Sequence, residues 1–311
     1  MISDAQVETY RRDGFVVVSD LASAQQLSAL RQVIAELVAG AAAVEAHSAI
    51  YDLEPGHTRA DPKVRRIKTP HKVHAAFDAL VRSEPVMAVL RRLIGPDLRL
   101  HGSKLNMKAA QYGSPVEWHQ DWAFYPHTND DLLAIGVMLD DMDLENGPLM
   151  VTPGSHRGPV WNHHGEDGRF AGMVDPADIG AEIERAVPLT GRAGSMSFHH
   201  VRALHGSALN TSHRNRNLLL YEVAAADAWP VLGVSDFDEF NSRLLSGKPS
   251  VEPRLAPVPI RLPLPPAARQ GSIYENQASA TKTYFKRAAA SAVDLKFLSD
   301  LAASSVGTSN P

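Results

Sequence analysis

The chain has 311 residues, 44 % of them hydrophobic and 21 % charged, the composition of a folded globule that buries a sizeable core as one large domain or two small ones. Lysine and arginine total 31 against 35 acids, leaving −4 at pH 7, which excludes the basic surface of a nucleic-acid or anionic-membrane binder. Cysteine is absent, which excludes a disulfide framework, a thiolate metal site and a cysteine nucleophile.

The opening MISDAQVETYRRDGF has no apolar signal-peptide core, and no apolar run reaches the roughly 18 residues that span a bilayer, so a soluble cytoplasmic protein is expected. Ser3 and Gln6 make a capping box at the head of a short helix that Gly14 stops, and Phe15-Val16-Val17-Val18 reads as a strand. Residues 23–39 put Leu27, Leu30, Val33, Ile34, Leu37 and Val38 at helical spacing. Residues 40–70 read as irregular, and 72–94 as helical with a break near Pro85. From about residue 97 the period changes to short apolar or alternating runs (LRLHGSKLNMKA, LLAIGVMLDD, GPLMVTPGS, AGSMSFHH, NLLLYEVAA), the pattern of an antiparallel sandwich or barrel. Residues 156–190 interrupt two of these strands as a long insertion of the lid or binding-loop kind. Residues 248–266 are proline-rich and read as an extended wrap. The predicted organisation is one α+β unit over 1–300, with a helical part at 1–96, a β core at 97–230, a C-terminal extension at 231–300 and a flexible tail at 301–311.

Chemistry concentrates in Trp118-His119-Gln120-Asp121. On extended backbone, residues i and i+2 point to one side, so His119 and Asp121 can present a nitrogen and a carboxylate oxygen to one point. With one distant histidine this becomes the 2-His-1-carboxylate facial triad that holds non-haem Fe(II) with open positions. His205 is the candidate third ligand, and Arg216 follows it by 11 residues, entering the next strand. A guanidinium there would pair bidentately with the far carboxylate of an α-keto acid, and Ser207 could add a hydrogen bond. Arg214 has the same strand parity and competes for that role. The pairs His163-His164 and His199-His200 face opposite sides of any strand and so read as surface or supporting groups, and His156 as a turn residue. His127 is open between the substrate side and the surface.

These residues resemble the phytanoyl-CoA dioxygenase family of Fe(II)/2-oxoglutarate-dependent oxygenases. The resemblance runs from about Phe15 to Val223, through Asp13-Gly14-Phe15-Val16-Val17, Trp118-His119-Gln120-Asp121, Phe124-Tyr125-Pro126, Asn146-Gly147-Pro148-Leu149, Pro153-Gly154-Ser155-His156 and the stretch from His205 to Arg216. It implies a mainly β core built as a double-stranded β-helix (jelly roll, cupin-like) with flanking N-terminal helices. It also implies that His119, Asp121 and His205 ligate iron and that Arg216, Ser207, Lys72 and Ser103 bind 2-oxoglutarate. At the position where some members carry a tryptophan beside the co-substrate, this chain has Val137. Halogenating relatives replace the ligand carboxylate with a small residue; Asp121 is present, which implies hydroxylation of a small organic molecule by O₂, with 2-oxoglutarate converted to succinate and CO₂. The competing readings are a metal-binding jelly roll without turnover and a cupin-type isomerase. Partners expected are a small-molecule substrate, no nucleic acid and no membrane; neither the substrate nor the oligomeric state follows from the sequence.

Overall fold

The computed structural model describes residues 2–110 and 114–285. In chain order the elements are α1 (Asp4–Asp13), β1 (Phe15–Val18), α2 (Ala24–Gly40), β2 (Tyr51–Leu53), β3 (Val64–Lys68), α3 (Pro70–Val73), α4 (Ala75–Val81), α5 (Glu84–Leu93), β4 (Leu98–Lys108), β5 (Val116–His119) and β6 (Leu132–Met138). They continue with β7 (Leu149–Val151), α6 (Gly180–Glu184), β8 (Val187–Leu189), β9 (Met196–His200), β10 (His205–Ser207), β11 (Arg216–Ala225), α7 (Phe237–Ser242), β12 (Leu244–Ser246) and α8 (Ile273–Asn276). Among these elements no helix is long and apolar enough to cross a membrane.

The strands form two antiparallel sheets. The larger runs β1-β9-β6-β11-β4-β3-β2, with β12 also on β4, and the smaller runs β5-β10-β7-β8. Alternation assigns each strand residue a side. Leu105, Leu133, Ile135, Val137, Phe198, Leu219, Tyr221 and Val223 join the main core with Leu27, Leu30, Val33 and Ile34 of α2 and with α4 and α5. The helices therefore cover one face of the large sheet, and the small sheet covers the other, as the jelly-roll reading requires. Val137 lies in the helix-side core, so it does not approach the space between the sheets.

Local capping agrees with the sequence. Ser3 and Gln6 cap α1 reciprocally, and Gly14 ends it at φ 82°. A Cβ at Gly14 would sit 2.4 Å from His156 Nδ1, so both the left-handed backbone and the close approach require glycine. Gly14→Ala is expected to lower stability by about 1–3 kcal/mol, seen as an earlier urea midpoint with an unchanged slope.

Two expectations are corrected here. Residues 40–70 are not all irregular, because β2 and β3 extend the large sheet beyond β4. Tyr51, Leu53, Val64 and Ile67 enter the main core while Asp52, Arg66 and Lys68 stay polar, so three- and five-residue strands with so many charges show too short an apolar pattern to be read as strands. The 72–94 stretch is helical with the expected break near Pro85, where Ser83 starts α5, but it begins at Pro70 and is broken a second time at His74 (φ −150°, ψ 134°), giving three helices. The proline-rich 248–266 stretch holds no helix or strand. The expected tail at 301–311 lies outside the described residues.

Candidate active site

β5 and β10 are neighbours in the small sheet, and their register sets His205 directly opposite His119. The two imidazole centroids are 4.1 Å apart. The chain leaves β5 at His119 and turns into a short 3₁₀ segment that begins at Asp121, which brings the carboxylate back over the same point. One donor atom each from His119, Asp121 and His205 lies within 4.8 Å of the others, all three residues buried. His119 Nε2 is 3.9 Å from Asp121 Oδ1, and His205 Nε2 is 4.0 Å from Asp121 Oδ2.

The donor set is prepared for a cation. His119 Nδ1 faces the Glu117 carbonyl at 2.8 Å and His205 Nδ1 the Ala203 carbonyl at 2.9 Å. Each Nδ1 therefore carries the proton and donates it, leaving the Nε2 lone pair aimed at the common point. Burial pushes both imidazoles down, His119 well below the ordinary range and His205 to about 4, so both are neutral at pH 7 with a free Nε2 lone pair. Burial pushes Asp121 up, but Lys104 and the surrounding histidines outweigh it and hold the carboxyl well below its usual range. Asp121 Oδ2 is buried without a hydrogen-bond partner, as expected of an oxygen reserved for a metal. His199, on the inward face of β9, stands 3.5 Å from that oxygen and also makes no hydrogen bond through either nitrogen.

The peptide between His119 and Asp121 is braced. Gln120 N–H donates to His163 Nε2 at 2.8 Å, while His163 Nδ1 meets the Trp161 carbonyl at 2.9 Å. The Gln120 side chain bonds the carbonyls of Pro159 and Arg202. The 156–190 insertion is thus fastened to the His119–Asp121 turn, and His163 is a buried support rather than a surface group.

Behind the triad, the inward faces of β4 and β11 make the floor of a chamber. Arg216 is paired in register with Lys108, and Leu218 with Asn106. Both cations are buried, and among the described residues neither has a carboxylate within ion-pair distance. Lys108 Nζ donates to Ser207 Oγ at 2.9 Å and also to the Ala208 carbonyl; Arg216 Nη2 donates to the Gly147 carbonyl at 2.7 Å. Burial, with the other cation as neighbour, drives Lys108 well below its ordinary value, and burial brings Arg216 down to about 10. Two buried cations without an ion-pair partner at this end of the chamber fit a ligand that brings its own carboxylate. Arg214 is settled by exposure: it precedes β11 and pairs with Asp143 on the surface.

The expected residues do not all gather there. His119, Asp121, His205, Ser207 and Arg216 line one chamber. Lys72 does not join them. The chain leaves the sheet edge at Thr69 (φ 41°), and Lys72 Nζ donates to Glu239 Oε1 at 2.6 Å on the surface. Ser103 touches the rim of a neighbouring cavity, but its hydroxyl turns to the helix side, 2.5 Å from His71 Nδ1. The groups on the inward face are its neighbours Lys104, Asn106 and Lys108, which sequence reasoning missed although KLNMK alternates polar and apolar residues. His127 is buried, T-shaped against His101 at 4.9 Å. The C-terminal extension also reaches the site: Ile273 and Tyr274 of α8 close the chamber. That segment is tied to β5 by Glu117 N–H donating to Gln277 Oε1 at 3.0 Å and by Phe285 stacked on Trp118 at 5.6 Å.

The family model for phytanoyl-CoA dioxygenase matches residues 10–218. The chain belongs to the phytanoyl-CoA dioxygenase family. It is 37 % identical over 288 residues to a probable alpha-ketoglutarate-dependent hypophosphite dioxygenase of Stutzerimonas stutzeri, covering 92 % of this chain and 100 % of that one. It is 31 % identical to an ectoine dioxygenase of Bordetella parapertussis, covering 68 % and 71 %. The crystal structure of EctD from S. alaskensis with 2-oxoglutarate and 5-hydroxyectoine superposes with a TM-score of 0.63 at 25 % identity, covering 85 % and 89 %. This member of the phytanoyl-CoA dioxygenase family is an Fe(II)- and 2-oxoglutarate-dependent dioxygenase on a double-stranded β-helix, acting on a small molecule. The non-catalytic and isomerase readings fall away with these relatives.

Proposed function

We propose that His119 Nε2, Asp121 and His205 Nε2 hold the iron of this dioxygenase and that Arg216, with Ser207 and Lys108 beside it, receives the C5 carboxylate of 2-oxoglutarate. The observation that carries the reading is the buried convergence of three prepared donors, within 4.8 Å, on the doorstep of two acid-free cations. Bound there, Fe(II) supplies the activation of O₂ that is coupled to decarboxylation of 2-oxoglutarate to succinate and CO₂.

The protein's own contribution is positional. The Glu117 and Ala203 carbonyls fix the tautomers of His119 and His205. Arg216 offers a planar fork that orients a carboxylate in two bonds, and Lys108 holds Ser207 in place from the adjacent strand. Phe124 stands edge-on to His119 at 5.7 Å and against Phe170 of the insertion at 5.0 Å, so that apolar rings shield the metal side from water.

Asp121 occupies the position that a halide would need, so the oxygen delivered to substrate is expected to come from O₂. Relatives act on hypophosphite, ectoine and L-proline by name, which makes these three the first compounds to supply. With an accepted compound under ¹⁸O₂, mass spectrometry should show one labelled oxygen in the product and one in succinate, and excess chloride should not alter the product. A chlorinated product from the unmodified chain would contradict the hydroxylase reading.

A further inference from the structure

Next to the triad chamber, on the side of Asp121 and Lys104, lies a second and wider cavity of about 440 Å³ that shares both residues with it. Its aromatic wall is Phe124 and Tyr125, with His101 tilted on Tyr125 at 4.7 Å. The facing wall is charged. β3 lies against β4 with Lys68 directly opposite Lys104, and Arg66 opposite Asn106, so three cations project from two adjacent strands into one cavity.

The acids that meet them are fewer. Glu222 Oε1 takes Lys104 Nζ at 3.0 Å. A single carboxylate, Asp52, answers both of the others, with Oδ1 2.9 Å from Lys68 Nζ and Oδ2 2.8 Å from Arg66 Nε. Asp52 is 2 % exposed, and its contact with Arg66 is too poorly aligned for a hydrogen bond, so Arg66 Nε is left without a partner. Asp121 belongs to the metal and Arg216 to the co-substrate. The remaining set is three positive charges against two negative, all on partly or fully buried side chains grouped around one cavity. A ferrous ion together with Asp121 and the C1 carboxylate of 2-oxoglutarate adds no net charge beside it.

We infer that this cavity selects a small substrate carrying one net negative charge, whose anionic group sits between Arg66, Lys68 and Lys104 and whose remainder lies against Phe124 and Tyr125. The inference rests on reading the cavity as the substrate side of the iron site. A neutral or cationic molecule of the same size leaves the third cation uncompensated; a monoanion such as a carboxylate, a phosphinate or a singly ionised phosphonate completes the set.

The test supplies full-length protein with Fe(II) and 2-oxoglutarate and a matched series: hypophosphite and short aliphatic carboxylates and phosphonates, the methyl esters and amides of the same acids, and the corresponding amines. Succinate formed above the compound-free rate is expected only with the monoanions. The most effective monoanion is then titrated calorimetrically into metal-free protein. Lys68→Met should weaken that binding and raise the KM by about tenfold or more, the loss of one charge-assisted contact, while Lys68→Arg restores most of both. Esters or amides that stimulate as well as their acids, no stimulation by any monoanion, or unchanged anion affinity in Lys68→Met would each overturn the inference and leave the oxygenase reading intact. Absence of succinate in every reaction, including those without added compound, would instead strike at the oxygenase reading itself.

Discussion

Asp121→Ala is expected to lose stoichiometric Fe(II) and to cut turnover by well over 100-fold, with the fold retained. The magnitude follows from the position of the residue. Changes to groups that merely orient a ligand cost about 10–100-fold in metal affinity or activity, and here the donor itself is removed. The two histidines that remain are neutral, so the site also loses its only anionic ligand. His205→Ala should behave alike, because His205 faces His119 across the β5–β10 register and belongs with His119 and Asp121 to the one three-donor cluster among the described residues. The fold should survive because Asp121 Oδ2 makes no hydrogen bond and the surrounding packing comes from Trp122, Phe124 and the sheets. Elemental analysis after anaerobic loading with Fe(II), paired with a thermal melt, separates the two effects. Wild-type iron content in either variant would show the ligands to be misassigned.

The second large effect is on the co-substrate. Arg216→Lys keeps the charge but loses the planar fork, and a single ammonium cannot make the two parallel bonds that a guanidinium gives a carboxylate. Losing one charge-assisted hydrogen bond of about 1.5–3 kcal/mol corresponds to a rise of about 10–100-fold in the KM for 2-oxoglutarate. Iron binding should be nearly unchanged, because Arg216 is a neighbour of the triad rather than a member of it. Lys108 bears on the outcome: it stands beside Arg216 in the register and already holds Ser207, so it cannot swing over without releasing that hydroxyl. Arg214→Lys serves as the control. That residue is exposed and paired with Asp143, and its replacement should leave the KM for 2-oxoglutarate where it was.

Much of this site is legible in the sequence because it lies on a short stretch of extended chain. Spacing of two brings His119 and Asp121 to one side whatever the rest of the fold does, and the 11 residues from His205 to Arg216 carry the chain to a strand that returns past the same point. The helices are legible for a similar reason: the apolar positions of α2 repeat with the helical period, and the faces they mark are the ones buried. Ser103, which the resemblance and not the spacing singles out, falls on the other face. On a strand a step of one residue exchanges the faces, so Ser103 lies with the helices while Lys104 enters the cavity. Lys72 fails differently, because a left-handed residue at Thr69 and a single turn of helix redirect the chain and no spacing rule reports that. β2 and β3 are hidden by their own chemistry. Three- and five-residue strands whose few apolar residues, Tyr51, Leu53, Val64 and Ile67, are interspersed with charges give too short a pattern to be recognised, and Arg66 and Lys68 of that polar side line the wider cavity. The contribution of Ile273 and Tyr274 is long-range and lies beyond the region that the family model matches, so neither a local pattern nor the resemblance points to it.

The most direct test of the site as assembled here is a crystal structure of the full-length protein grown without oxygen with Mn(II) and 2-oxoglutarate, using the anomalous signal of manganese to locate the ion. One ion is expected in contact with His119 Nε2, an Asp121 oxygen and His205 Nε2, with a 2-oxoglutarate whose C5 carboxylate lies on Arg216. An ion held by any other set of residues, or a co-substrate whose C5 carboxylate is bound away from Arg216, would contradict this assignment.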